Sequence, residues 1–170
     1  MKDEQHLTER QVASELLAAG SFLNVRRDTV RLPSGDTATR EYVVHPGAVV
    51  VVPVLDDGQL VLERQFRYPL GQVILEFPAG KIDPGEDRLH CARRELVEET
   101  GYRASEWARA AIIHNAPAYS TELIEIWFAR GLRLGDRRLD HGEFIDLCVM
   151  GADELDALAA RGELTDVKTL

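Results

Sequence analysis

Two cysteines in 170 residues, Cys91 and Cys148, are too few and too far apart for a disulfide framework or a thiolate metal cluster. A reduced compartment, the cytoplasm, is the expectation that follows. Long apolar runs are missing too. The longest, "AVVVVPVL" from Ala48 to Leu55, is far short of the roughly 20 residues that span a bilayer. Basic residues are scarce: 20 Lys and Arg against 29 Asp and Glu leave a formal charge of −9, with no long basic stretch. That excludes a general nucleic-acid or anionic-membrane binder, whose affinity rests on neutralising phosphates. For an anionic substrate, a bound cation is the expected mediator with such a chain. The opening "MKDEQHLTERQVASELLAAG" holds acidic residues and no apolar segment of signal-peptide length, so no secretory leader is expected. Internal repeats, low-complexity tracts and long linkers are absent as well, and the length suits one hydrophobic core.

What is present reads first as strands. Residues 22–32 and 37–45 are rich in Val, Thr, Tyr and Phe and flank "PSGD", a hairpin turn. A second hairpin joins Ala48–Leu55 to Leu60–Arg67 through "DDGQ", with Pro53 marking an edge position or a bulge. A short strand near 73–77 precedes the one long helical stretch. Strands near 107–114 and 122–129, a polar loop 131–142, a strand 144–150 and a closing helix 153–161 complete the chain. Strands, a central helix, more strands and a last helix describe an α+β fold, a sandwich with a mixed sheet, preceded by an antiparallel strand extension. The division expected is a helix and strand extension over 1–45, followed by the main domain over 46–170.

The helical stretch is "GKIDPGEDRLHCARRELVEETGY", Gly80 to Tyr102. Pro84, Glu86 and Asp87 suit its first turn, Asp83 or Gly85 its cap, and Gly101 its stop. At about 100° per residue, Glu98 and Glu99 fall at roughly −60° and +40° from Glu95, so three carboxylates share one arc. Leu89, Ala92 and Leu96 lie on the adjacent arc, ready to pack inward. An acidic face of this kind is ordinarily a solvated surface, with Arg94 pairing Glu98 at i,i+4. The neighbouring "PAGKIDPGE" loop favours another reading, because it can bring backbone carbonyls to the same spot. Carboxylate and carbonyl oxygens together are what a hard divalent cation such as Mg²⁺ or Mn²⁺ requires.

The same stretch resembles the signature of the Nudix hydrolases. Gly80, Glu86, Arg94, Glu95, Leu96, Glu98, Glu99, Gly101 and Tyr102 fill its fixed positions at the right spacing. The resemblance implies a Nudix α/β/α sandwich and a metal-dependent attack of water on a nucleoside diphosphate linked to another moiety. It implies metal ligation by Glu95, Glu98, Glu99 and the backbone carbonyl of Ala79, with Arg94 orienting the glutamates and Glu86 bracing loop and helix. Ions that bridge two phosphates neutralise charge and position water, which agrees with the reading from the residues.

Outside the signature, "HPGAVVVVPV" and "LVLERQFRYPLGQVILEFPAGKID" resemble the ADP-ribose pyrophosphatase branch, as do the N-terminal strands and "LTDVKTL". That branch carries a proline about 15 residues past the signature, matched by Pro117. Tyr119 is discordant, standing where diadenosine-polyphosphate hydrolases show a tyrosine. The resemblance gives Arg67 a phosphate contact, for which a guanidinium's paired donors are suited. It places Phe22, Arg40 and Glu41 as candidates for an adenine or ribose site. In the loop "RRLDHGEFIDL" it makes Glu143 the acidic position nearest the metals, while His141 stands where relatives often have a second acid and Asp140 is a further candidate. The general base is left open among these. His45 and His114 read as structural residues.

The reading implied is Mg²⁺-dependent hydrolysis of ADP-ribose or a related nucleoside diphosphate sugar to AMP and ribose 5-phosphate, by a cytoplasmic homodimer that exchanges its N-terminal strands. Two alternatives stand beside it. One is a Nudix enzyme acting on GDP-mannose, a dinucleoside polyphosphate or a nucleoside triphosphate. The other is a sensor that binds a nucleotide sugar without turnover, against which the intact glutamate set speaks.

Overall fold

A run of valines organises the molecule. In the computed structural model, which describes residues 4–170, β4 (Ala48–Pro53) is the most deeply buried strand. Its side chains alternate between two cores. Val49 and Val51 pack with Cys91, Ala92, Leu96 and Ala129, whereas Val50 packs with Leu62, Phe77, Ile124, Leu155 and Leu164. A strand buried on both faces reads as a continuous apolar run.

Around it stand two sheets. The mixed one has the order β7 (Ala79–Lys81), β4, β9 (Leu123–Leu134), β8 (Tyr102–His114), with β4 and β9 parallel and the other pairs antiparallel. The second, antiparallel, has the order β10 (Ile145–Met150), β5 (Leu60–Arg67), β6 (Gln72–Glu76). Helix α1 (Arg88–Glu95) covers one face of β4, and α2 (Ala152–Ala160) contributes Leu155 to the core on the other. This is the expected α+β sandwich. Pro53 sits where only β9 flanks β4, since β7 pairs no farther than Val50, so its missing N–H breaks no ladder.

The expected hairpin of Ala48–Leu55 with Leu60–Arg67 does not continue past its turn: beyond the bridge Val54 to Leu60 the two strands separate, β4 into the mixed sheet and β5 into the antiparallel one, so that the valines of β4 are covered on both faces. Two strand boundaries differ from expectation as well. Residues 131–134 belong to β9 rather than to a loop, because β8 begins at Tyr102 and pairs with Leu134. The N-terminal extension holds three strands, not two: β1 (Arg10–Ala19), β2 (Asn24–Arg31) and β3 (Thr37–Val44) form their own antiparallel sheet. Its helical content among the described residues is one 3₁₀ turn, Gln5–Leu7. "RQVASELLAA" is made largely of good helix formers, and its pairing with β2 overrides that propensity. All ten residues of β1 are exposed, Val12, Leu16 and Leu17 included. At the other end, Val43 exchanges hydrogen bonds with Tyr119 O (2.9 Å) and Thr121 N–H (3.0 Å), tying the extension to the main body.

Candidate active site

Helix α1 starts later than its sequence suggests. Asp87, not Asp83 or Gly85, is the N-cap: its carboxylate accepts from Leu89 N–H (3.0 Å) and His90 N–H (3.1 Å). Pro84 and Glu86 therefore belong to the preceding loop, where Gly85 has φ of 79° and Glu86 N–H donates to Asp83 O. Capping of this kind is worth about 1 kcal/mol. The helix ends as a π-turn, Leu96–Thr100, stopped by Gly101 in the left-handed region. That turn departs from the 100° spacing and helps set Glu99 inward, 3 % exposed, while Glu98 stays half-buried. Ala92 and Leu96 pack into the core as expected, joined by Cys91, whereas Leu89, in the first turn, is half-buried and outside that core.

Arg94 is the hub of the carboxylates. Its Nε and Nη2 each donate to Glu86 at 2.9 Å, and its Nη1 donates to Glu95 (2.7 Å) and Glu98 (3.0 Å). Nη2 also reaches Lys81 O at 3.2 Å. The Arg94 bonds hold the Glu86 carboxyl well below the usual carboxylate range. Glu95 behaves oppositely: burial, outweighing Arg94, pushes it up to about 7. Glu99 accepts one bond, from Ala79 N–H at 2.9 Å, and burial followed by the charges of Glu63 and Glu95 raises it.

Glu63 and Glu76, which sequence reasoning did not single out, extend this cluster beneath the helix. They face each other across β5 and β6, both fully buried. Neither carboxyl oxygen of Glu63 has a hydrogen-bond partner. Burial and the Glu76 charge push its carboxyl up. A glutamate inside each of the apolar strands "LVLERQ" and "VILEFP" was the available signal.

The carboxylates adjoin a cleft of about 420 Å³. Ala79, Gly80 and Lys81 form part of its lining, together with Arg67, Glu76 and His45. Arg67 binds Glu76 through two parallel bonds of 2.8 Å. Phe22 stands at the rim, edge-on to His45 at 5.9 Å with Lys81 Nζ 4.5 Å above its ring. Arg40 and Glu41 are not brought there: Arg40 is paired with Glu9 and Glu41 with Arg27 within the N-terminal sheet. Pro117 is exposed in the loop after β8, whose Asn115 reaches the cleft instead. The late loop is fastened to the helix end by Gly135 N–H to Gly101 O (2.9 Å) and Arg138 N–H to Glu98 O (3.2 Å). Within it, Glu143 accepts from Asp140 N–H at 3.1 Å, and its charge acts on both Glu95 and Glu99. His141 is exposed.

Among the described residues no three His, Cys, Asp or Glu side chains already converge in metal-binding geometry. Glu95 and Glu98 are turned onto Arg94 instead. The donor chemistry nonetheless fits a hard divalent cation. All the donors are oxygens, Glu63 has none of its oxygens partnered, and burial with mutual repulsion raises Glu95 and Glu99 toward their neutral forms.

Acidic side chains gathered by a loop and a helix beside a cleft supply the oxygen donors that a hard divalent cation takes. The chain belongs to the Nudix family: it matches the NUDIX domain over residues 44–169 and the nucleoside diphosphate sugar hydrolase N-terminal domain over residues 9–43. Nudix hydrolases depend on divalent metals. The ADP-ribose pyrophosphatase of Bacillus subtilis (strain 168) is 35 % identical over 165 residues, covering 96 % of this chain and 89 % of that one. The methanol dehydrogenase activator of Bacillus methanolicus is 35 % identical over 164 residues, covering 95 % and 89 %. A crystal structure of an ADP compounds hydrolase shares the fold, with a TM-score of 0.84 at 24 % identity over 95 % of this chain and 88 % of that one.

Proposed function

We propose that this protein hydrolyses the diphosphate bond of ADP-ribose or a related nucleoside diphosphate sugar, producing AMP and ribose 5-phosphate from ADP-ribose, with Mg²⁺ as its ion and Mn²⁺ as a substitute. The observation that carries this reading is the strip Ala79–Lys81, shared by cleft and carboxylates. Glu99 takes its N–H at Ala79, Glu95 lies against Gly80, and Arg94 holds the carbonyl of Lys81. A diphosphate lying along the strip would meet Arg67 on one side and the glutamates on the other. The similarity to an ADP-ribose pyrophosphatase over nearly the whole chain supports the same substrate class.

In this reading Glu95, Glu98, Glu99 and the Ala79 carbonyl hold the ion. Once bound, the ion neutralises diphosphate charge and polarises the bond to be broken. Arg94 sets the orientation of Glu95 and Glu98 through Nη1, and Glu86 fixes Arg94 by accepting from its Nε and Nη2. Arg67 presents its guanidinium to a phosphate oxygen. Glu143 takes the proton of the attacking water as the new P–O bond forms and the bridging P–O bond breaks, a role for which its field on Glu95 and Glu99 recommends it over the exposed His141. Phe22 stacks at the rim, and Pro117 shapes the neighbouring loop.

The extension 1–45 is taken as a dimerising unit and 46–170 as the hydrolase domain. A three-stranded sheet with one strand wholly exposed, Val12, Leu16 and Leu17 among its residues, suits cover by a second copy. Exchange across a two-fold axis would carry Arg40 and Glu41 toward the other subunit's cleft. No described helix is long and apolar enough to cross a membrane, and two unpaired cysteines suit a reducing cytoplasm. The test is a substrate panel with Mg²⁺: nucleotide sugars, nucleoside triphosphates and diadenosine compounds compared by kcat/KM. ADP-ribose should lead. A preferred triphosphate or dinucleoside compound overturns the substrate, and binding without turnover leaves the sensor alternative.

A further inference from the structure

The C-terminal residues Asp166, Val167 and Lys168 line the cleft, far in sequence from the Nudix signature. Lys168 Nζ lies 2.5 Å from Glu76 Oε2 and 2.9 Å from Asp166 Oδ1. The other oxygen of Asp166 accepts from Thr169 Oγ1 at 2.6 Å, and Thr169 Oγ1 itself accepts from Phe77 N–H at 3.0 Å. Two independent ties therefore fasten this segment to the end of β6, each spanning 92 residues of sequence.

Glu76 is where this segment and Arg67 meet. Its Oε1 takes Arg67 Nε, while Oε2 takes both Arg67 Nη2 and Lys168 Nζ. Although burial opposes it, these bonds hold the Glu76 carboxyl below its ordinary range, as an anion. A buried anion with both oxygens occupied is a fixed plate, and Arg67 lies against it. The charges of Arg67, Lys168, Glu76 and Asp166 balance, so the segment supplies position rather than excess charge. Arg67 spends Nε and Nη2 on the plate, which leaves Nη1 without a protein partner among the described residues.

We propose that Lys168 is a positioning residue: it locks Glu76, and Glu76 locks Arg67 with Nη1 free for an oxygen of a diphosphate. The C-terminal segment thus sets affinity for the anion and leaves the chemistry at the glutamates unchanged. The ligand class rests on the functional reading above.

The probe that separates the two is inorganic pyrophosphate, titrated calorimetrically into the full chain in the presence of a chelator. ADP-ribose kinetics with Mg²⁺ run beside it. Lys168→Met should weaken pyrophosphate binding about tenfold, as expected when a charge-assisted contact loses its orientation, and raise KM for ADP-ribose by a similar factor with kcat within about twofold. Lys168→Arg should restore most of the loss. Thr169→Val, which removes the hydroxyl between Asp166 and Phe77, should act in the same direction and decides the matter if the methionine variant does not fold. Unchanged pyrophosphate binding in these variants, no binding by the wild type, or a fall in kcat at constant KM overturns the proposal. Lys168-dependent pyrophosphate binding by a protein that hydrolyses no ADP-ribose sinks the substrate instead and leaves the positioning role standing.

Discussion

Gly80 lies so close beneath Glu95 that a Cβ at Gly80 would stand 1.7 Å from Glu95 Oε1. The glycine is therefore a seat for a carboxylate, and its requirement comes from this approach rather than from a turn. Gly80→Ala should push Glu95 off the strip while the fold survives, because the displaced atoms end a flexible side chain. The expected result is a fall of at least about tenfold in kcat/KM, or about 1.4 kcal/mol of lost transition-state stabilisation, with Tm shifted by less than about 3 °C. A variant with wild-type kinetics would show that Glu95 does not act from this position.

Glu99→Gln should nearly abolish hydrolysis. Gln retains the size of the side chain but loses the charge that binds a dication. It also removes one member of a buried carboxylate cluster, so metal-free Tm should hold level or rise. Retention of more than about a tenth of wild-type kcat would contradict the assignment.

In the late loop, Glu143→Gln should lower kcat more than it raises KM, and His141→Ala should do less. The charge of Glu143 acts on Glu95 and Glu99, whereas His141 is exposed. If His141→Ala proves the more damaging and kcat stops responding to a group titrating near neutrality, the two roles are reversed.

The buried carboxylates predict how metal-free stability depends on pH. Glu95, raised to about 7, and the pair Glu63 and Glu99, raised further, keep protons in the folded state that the unfolded chain releases near pH 4.3. The folded state therefore binds more protons above that pH, and stability falls as pH rises through the folded values. Between about pH 5 and 9, Tm in chelator should drop by at least about 3 °C, the shift of about 1 kcal/mol for this size. Glu63→Gln should flatten the slope, whatever it does to the absolute Tm, and so should a saturating divalent ion. A Tm that rises over this range would mean the carboxylates are ionised in the folded protein.

Deleting residues 1–45 should give a monomer by light scattering, with KM for ADP-ribose raised far more than the Mg²⁺ requirement. The wholly exposed β1 motivates this. A wild-type monomer at micromolar concentration, or a truncation with unaltered KM, argues that the sheet serves its own chain.

What the sequence by itself determined is local. Spacing along one stretch was enough to put Glu95 and Glu98 on Arg94, because a helix turns neighbours in sequence into neighbours in space, whereas Glu99 is turned inward by the π-turn and bonds Ala79 N–H instead. Alternation and turn residues likewise revealed β2 to β6, but only β2 with β3 and β5 with β6 pair through short connections, while β4 and β5 part into different sheets. The exact start of α1 was not legible, since Asp83, Gly85 and Asp87 can all cap and only the chain's path through the preceding turn selects Asp87. Long-range pairing decided the rest. β1 is a strand because β2 offers it a partner. Glu63 meets Glu76 through strand register, and Lys168 meets Glu76 across 92 residues. No periodicity encodes such meetings, because they arise from how separate elements pack once the core around β4 has closed.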